Sequence, residues 1–275
     1  MKTMKKLTAL LMALTMVLAL CACSNQNPGS EATEPGSDVT EPAQGGAEFT
    51  TVEEGKLHMS TNAAFPPYEM TTDDGGFEGI DVEVAAAIAK KLGLELVVDD
   101  MAFTAALTAV QTGQTDIAMA GITVKPDRLE VMDFSDTYAT GIQVVIVNEG
   151  SDIQSVDDLA NAGMIGTQAG TTGYSYCSED YGEDHVTAFD NGALAVTALV
   201  NGQVDAVVID NEPAKAFVDK NPGLKILDTE YANEDYAIGF AKGNTALKDA
   251  VNQAIAELKA DGTFQDIVDK YIKAD

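Results

Sequence analysis

From about residue 50 the chain alternates short apolar runs with amphipathic stretches, a pattern that predicts an α/β fold. In "GIDVEVAAAIAKKLG" (79–93) Val84, Ile88 and Leu92 recur four apart, so they share one face of a helix. Asp81 is the expected N-cap, Lys90 and Lys91 sit where the helix dipole favours cations, and Gly93 can close the end. The run "LELVV" that follows reads as a buried strand.

The same pattern occurs twice in a second form. "AVQTGQTDIAMAG" (109–121) and "ALVNGQVDAVVID" (198–210) share a helix end, a Gly-Gln-x-Asp turn and an apolar strand, with Gly113 matching Gly202 and Asp116 matching Asp205. Two similar lobes are implied, although Gly-Gln-x-Asp is also a common helix-to-strand turn. In both copies the strand is expected to end five residues after the turn aspartate, at Gly121 and at Asp210. Ligands of open α/β sheets collect beyond such carboxyl ends.

The N-terminal pattern is different. "MKTMKK" followed by "LTALLMALTMVLAL" is a basic then apolar leader, too short to span a membrane comfortably, and residues 1–22 are read as a signal peptide. Leu20-Cys21-Ala22-Cys23 resembles a bacterial lipobox, with Ala22 the small residue before the cut and Cys23 the lipidated residue; an ordinary secretory leader is the alternative. Residues 23–49 hold Pro, Gly, Ser, Thr and acid with little to bury, the composition of a disordered tether reaching on the order of 80 Å at full extension.

Composition narrows the partners. The 275 residues are 45% hydrophobic and 22% charged, which is globular, and the formal net charge of -28 disfavours nucleic acid and anionic membrane surfaces. With Cys21 removed and Cys23 lipidated, Cys177 is alone, so no intrachain disulfide is available; Cys177 reads as a packing residue. His58 and His185 have no metal-ligand spacing, so neither a metal nor a cofactor is implied.

Candidate chemistry centres on the one arginine among 16 basic residues. Arg128 follows the first repeated strand, just after Pro126, which suits the first turn of a helix. Its planar fork can grip a carboxylate through two parallel bonds, which lysine cannot do. Asp210 ends the second repeated strand. Facing each other across two lobes, the pair would complement the carboxylate and ammonium of a free α-amino acid. Taken singly, Arg128 could pair with Asp127 or Glu130, and Asp210 could cap a helix starting near Pro213.

Six ordered blocks between residues 56 and about 273 carry a resemblance. They are "STNAAFPPYE" (60–69), "GFEGIDVEVAAAIAKKLG" (76–93), "AGITVKPDRLEVMDFSDTY" (120–138), "GTQAGTTG" (166–173), "NGQVDAVVIDNEPA" (201–214) and the ending "DYAIGFAKGN…LKADGTFQDIVDKY". The sequence resembles the family 3 solute-binding proteins of bacterial amino-acid ABC transporters. The resemblance implies a two-lobe periplasmic-binding-protein type II α/β fold. Residues 50–137 plus 240–275 would form lobe 1 and 143–233 lobe 2, with 138–142 and 234–239 the hinge.

By position, Arg128 is implied to grip the ligand carboxylate, with Thr171 and Thr172 as further donors. Asp210, the Gly121 carbonyl and the Thr123 hydroxyl would accept from the ammonium, and Phe65 and Phe103 would sandwich the aliphatic part. The side-chain pocket is expected to include Asn62, Gln168 and Ile209. Asn62 stands where relatives that bind lysine or arginine tend to have an aspartate, which favours a neutral ligand, although Glu69 could supply the missing charge. Lys125 replaces a usual threonine and Ile80 a usual aromatic.

What this implies is an extracytoplasmic, lipid-anchored, monomeric receptor that delivers a free L-amino acid to an ABC permease with its ATPase and does no chemistry. A ligand of about ten heavy atoms bound at ~1 μM needs roughly -0.8 kcal/mol per atom, which requires near-complete burial and hence hinge closure. The alternative is an enzyme like the exported cyclohexadienyl or arogenate dehydratases, with Glu69 or Glu212 as general acid. A sensory or adhesive ectodomain would need a spanning helix or further domains after the last amphipathic helix, and neither is expected before Asp275.

Overall fold

The structure is a computed structural model that describes residues 49–273; the leader at 1–22, Cys23 and nearly all of the 23–49 tether lie outside the described residues. In chain order, β1 (Lys56–Thr61), β2 (Ala64–Phe65), β3 (Glu69–Thr71) and β4 (Phe77–Glu78) lead into α1 (Ile80–Lys91), β5 (Glu95–Asp100) and α2 (Phe103–Gln111). Then come β6 (Ile117–Ala118), α3 (Pro126–Val131), β7 (Met132–Phe134), β8 (Ala139–Asn148), β9 (Ile165–Gln168), α4 (Thr172–Tyr181) and β10 (Val186–Phe189). The remainder is α5 (Gly192–Val200), β11 (Ala206–Asp210), α6 (Asn211–Lys220), β12 (Leu224–Ile226), β13 (Ala232–Tyr236), β14 (Gly239–Ala241), α7 (Thr245–Ala260) and α8 (Thr263–Tyr271).

Two sheets organise these elements. The first runs β5-β1-β6-β14-β7, the second β10-β9-β11-β8-β12 with β13 also on β8. In each, three parallel strands meet antiparallel ones. Each sheet is covered on both faces, as parallel strands require. Met59, Ile88, Ile117, Val251 and Leu258 pack beneath α1 and α7 on one face of the first sheet, with Leu107, Val110 and Met132 on the other. In the second sheet Val207, Leu199 and Phe217 fill one face and Val208, Ile165 and Cys177 the opposite one. Burial pushes the Cys177 thiol up to about 12, which suits a packing residue.

The chain passes between the sheets twice, from Phe134 to Ala139 and from Tyr236 to Gly239. The passing segments lie side by side: Tyr236 pairs with Ala139 and Glu234 with Gly141, and the Ser135 N–H donates to the Ile238 carbonyl at 2.9 Å.

The internal repeat has a structural counterpart. Asp116 accepts from the Val52 and His58 N–H groups, both at 2.7 Å, and Asp205 from those of Gly163 at 2.7 Å and Met164 at 3.0 Å. Each turn aspartate thus ties its strand to the start of a neighbouring one. The first repeated strand is shorter than expected, ending at Ala118, because Gly121 turns away at φ 54.

Two local expectations are corrected. Asp81 does not cap α1: Gly79 holds that position, and Asp81 is fully buried, accepting from the Gly121 N–H at 3.0 Å and the Tyr138 hydroxyl at 2.8 Å. The "LELVV" segment gives a half-buried strand, because β5 is the edge of its sheet. Gly79 itself, at φ 128, has no room for a side chain, since a Cβ would lie 2.2 Å from the Tyr68 carbonyl oxygen. Gly79→Ala is expected to destabilise the fold by at least ~2 kcal/mol, read as a lower midpoint in thermal melts.

Candidate functional site

A narrow cleft lies between the two sheets, lined by Asn62, Phe65, Glu69, Phe103, Gly121, Thr123, Arg128, Gln168, Thr171, Thr172 and Asp210. Ten of the eleven binding residues expected from the sequence therefore share one cavity, joined by Glu69. Ile209 does not line it. Successive strand residues face opposite ways, so with Asp210 at the cleft, Ile209 packs into the second-lobe core near Phe217.

Arg128 is only 5% exposed, held on α3 by the Pro126 start that the sequence predicts. Its Nη1 donates to the Thr123 carbonyl at 2.9 Å and its Nη2 to the Gly170 carbonyl at 3.2 Å, while the guanidinium lies 5.5 Å from the centre of the Phe103 ring. Among the described residues no carboxylate is within salt-bridge distance of it; Asp127 pairs with Lys125 instead, at 3.1 Å. A buried cation whose bonds go only to carbonyls has donors left for an anion. The N-terminus of α4 faces the same space. There Thr171 caps the helix, spending its hydroxyl proton on the Gln168 carbonyl at 2.8 Å, while Thr172 is buried in the first turn. Unpaired first-turn N–H groups and the helix dipole add to the positive end of the cleft.

The negative end is built from both lobes. Burial, and next to it the charge of Glu234, pushes Asp210 up to about 7, and Tyr236 donates its hydroxyl to Asp210 Oδ1. Thr123 donates its hydroxyl to Glu234 Oε2 at 3.0 Å, and Gln143 Nε2 donates to the same oxygen at 3.0 Å. Glu69 is fully buried, no N–H or hydroxyl among the described residues donates to either of its oxygens, and its carboxyl lies beside Asp81, to which its protonated form can donate. Burial first, then the neighbouring charge of Asp81, holds Glu69 well above the ordinary carboxylate range. Asp81 is itself pushed up to about 6 by burial, against the opposing bonds from Gly121, Tyr138 and Glu69.

Three hydrogen bonds span the cleft: Arg128 to Gly170, Lys125 Nζ to Ser175 Oγ at 3.3 Å, and Gln168 Nε2 to Asn62 Oδ1 at 2.9 Å. Glu212 is absent from the lining; it accepts from Lys215 at 2.8 Å and from Asn211 at 2.9 Å. Among the described residues no cluster of three or more His, Cys, Asp or Glu could hold a metal, and no helix is long and apolar enough to cross a membrane. Sequence reasoning missed Gln143, Glu234 and Tyr236. The last two have a faint signal, since "NEDY" alternates and Glu234 and Tyr236 share the buried face of β13.

Two α/β lobes, each with its own sheet, closing on a polar cleft at the ends of their strands define a type II periplasmic-binding-protein fold. The chain belongs to the bacterial extracellular solute-binding proteins, family 3, whose family model matches residues 57–274. It is 32% identical over 274 residues to a Neisseria gonorrhoeae protein named "Probable histidine-binding protein", covering 98% of this chain and 96% of that one. It is 30% identical over 277 residues to the ABC transporter glutamine-binding protein GlnH of Bacillus subtilis, covering 99% of each. A solved structure described as an ancestral arginine-binding protein bound to glutamine matches with a TM-score of 0.76 and 37% identity, covering 81% of this chain and all of that one. These relatives are named as binding proteins, in keeping with a receptor that does no chemistry.

Proposed function

We propose that the protein captures a free L-amino acid for an ABC permease and its ATPase. The ligand carboxylate lies between Arg128 and the start of α4, and its ammonium lies against Asp210, Thr123 and the Gly121 carbonyl. The observation that carries this reading is the buried guanidinium without a carboxylate partner, lining the same cleft as a buried aspartate. Phe65 and Phe103 flank the aliphatic part. The segments 138–142 and 234–239 act as the hinge that opens and closes the lobes, and ligand shifts that equilibrium. Ahead of the lobes, Cys23 carries a lipid that anchors the protein outside the cytoplasmic membrane through the 23–49 tether. Loss of palmitate-analogue labelling in Cys23→Ala is the expected result.

The ligand side chain carries hydrogen-bond donors. The neutral preference drawn from Asn62 holds only if Glu69 stays out of the pocket, whereas Glu69 lines it, fully buried. Arginine, histidine and glutamine all end in N–H groups that such an acid accepts, and the names of the relatives point the same way. Burial and the neighbouring Asp81 favour the protonated form of Glu69, so a cationic side chain would work against that proton, whereas glutamine would not. Calorimetry in buffers of different ionisation enthalpy is expected to show more protons released per arginine bound than per glutamine, the release common to both coming from Asp210. Glu69→Gln is expected to weaken arginine by roughly 10- to 100-fold relative to glutamine. An unchanged ratio would remove Glu69 from ligand selection.

A further inference from the structure

The Thr123 hydroxyl has one proton, and that proton is already committed. It points to Glu234 Oε2 at 3.0 Å, and Gln143 Nε2 converges on the same oxygen at 3.0 Å. Glu234 is 5% exposed on β13, and its Oε1 has no partner among the described residues. A carboxylate is an acceptor only, so Thr123 cannot reverse this bond. Its oxygen presents only lone pairs to the cleft, and a ligand group placed there must be a donor. Two positions along the same strand face, Tyr236 donates to Asp210 Oδ1 and fixes the other acid of the negative end. Strand β13 therefore sets the polarity of both groups while touching the cleft with neither Glu234 nor Tyr236.

We infer that Glu234 is a positioning residue that acts through Thr123 to fix which way round an amino acid binds, admitting the ammonium at that wall and refusing the carboxylate. The inference rests on the proposed ammonium seat. Its physical basis is a fixed chain of donors, from ligand N–H to Thr123 oxygen and from Thr123 O–H to Glu234. The buried charge at the end of the chain adds attraction for a cation in a poorly screened site. A merely structural Glu234 would support Thr123 and Gln143 without favouring one ligand end over the other.

The test measures how far the protein prefers an amino acid over the same molecule without its α-amino group. The probes are L-arginine with 5-guanidinopentanoate, L-glutamine with glutaramate, and L-histidine with 3-(imidazolyl)propanoate, titrated into wild type, Glu234→Gln and Glu234→Met. Wild type is expected to prefer the amino acid by at least ~100-fold, and Glu234→Met to cut that ratio by at least ~10-fold with the deamino affinity nearly unchanged. Glu234→Gln keeps an acceptor for the Thr123 proton and is expected to fall between them. In a Thr123→Val background, Glu234→Met is expected to change the ratio no further. The same cycle with the isosteric Glu234→Gln gives the coupling should the methionine variant not fold.

Equal weakening of both members of a pair, at constant ratio, would leave Glu234 a structural residue and overturn the inference. A further fall in the Thr123→Val background would mean that Glu234 does not act through Thr123, which also overturns it. A wild-type protein that binds none of the amino acids, or shows no preference for the amino group, would instead remove the ammonium seat beneath it.

Discussion

Arg128→Lys is expected to weaken ligand binding by about 1.5–3 kcal/mol, roughly 10- to 150-fold, with Arg128→Ala abolishing measurable binding. The guanidinium divides its work between two carbonyls, at Thr123 on one lobe and Gly170 on the other, and whatever anion enters the cleft. A lysine tip is a point charge without the planar fork. It could satisfy one carbonyl or the ligand, while the other buried groups lost their donor. The contact to Gly170 crosses the cleft, so the substitution is also expected to slow closure, and the loss should appear in both rate constants by stopped-flow fluorescence or surface plasmon resonance. Near-unchanged affinity would take Arg128 out of the site.

Asp210→Asn is expected to separate stability from binding. Removing one partner of a buried charged contact costs about 2–5 kcal/mol of affinity, so amino-acid binding should fall by more than ~30-fold. Stability should move the other way at neutral pH. Burial raises Asp210 to about 7, so the folded chain holds a proton that the unfolded chain releases between about pH 4 and 7. Across that window this group's contribution to stability falls as pH rises, and an uncharged asparagine removes the loss. The variant is therefore expected to melt higher than wild type at pH 8, with the difference shrinking toward pH 4. Affinity for an ammonium has the opposite dependence. It needs ionised Asp210, so wild-type binding should be full above about pH 7 and fall about tenfold per unit below it. The variant should lack this profile.

Much of the fold was legible because its elements obey simple periods. Val84 and Ile88 are buried at helical spacing on α1, Pro126 starts α3, and the paired Gly-Gln-x-Asp turns recur in both lobes with the same backbone contacts. Where the expectation failed, a tertiary contact had overridden the local one. Asp81 has the composition of a cap but is drawn inward by Gly121 and Tyr138, and "LELVV" is apolar enough for a central strand yet lies at an edge.

The cleft residues were legible for a different reason. Nothing in local pattern brings Asn62, Arg128, Gln168 and Asp210 together; the ordered motif blocks do, and the structure places them around one cavity. Ile209 failed on strand parity alone. Gln143, Glu234 and Tyr236 were missed because they act one contact behind the lining; the alternation of "NEDY" marks the last two as buried, and only the three-dimensional pairing of β13 with β8 shows what they hold.

The most direct test of an amino-acid receptor is a thermal-shift screen of the protein, refolded from denaturant to strip bound ligand. The panel is the twenty amino acids, cystine and ornithine, with Arg128→Ala in parallel. A ligand at 100 times its dissociation constant stabilises by ~2.7 kcal/mol, moving the midpoint by several degrees. The expected result is a selective shift for one or a few amino acids whose side chains end in N–H groups, lost in Arg128→Ala. A folded protein that shifts with none of them, or shifts equally with and without Arg128, would contradict the assignment of this cleft to a free amino acid.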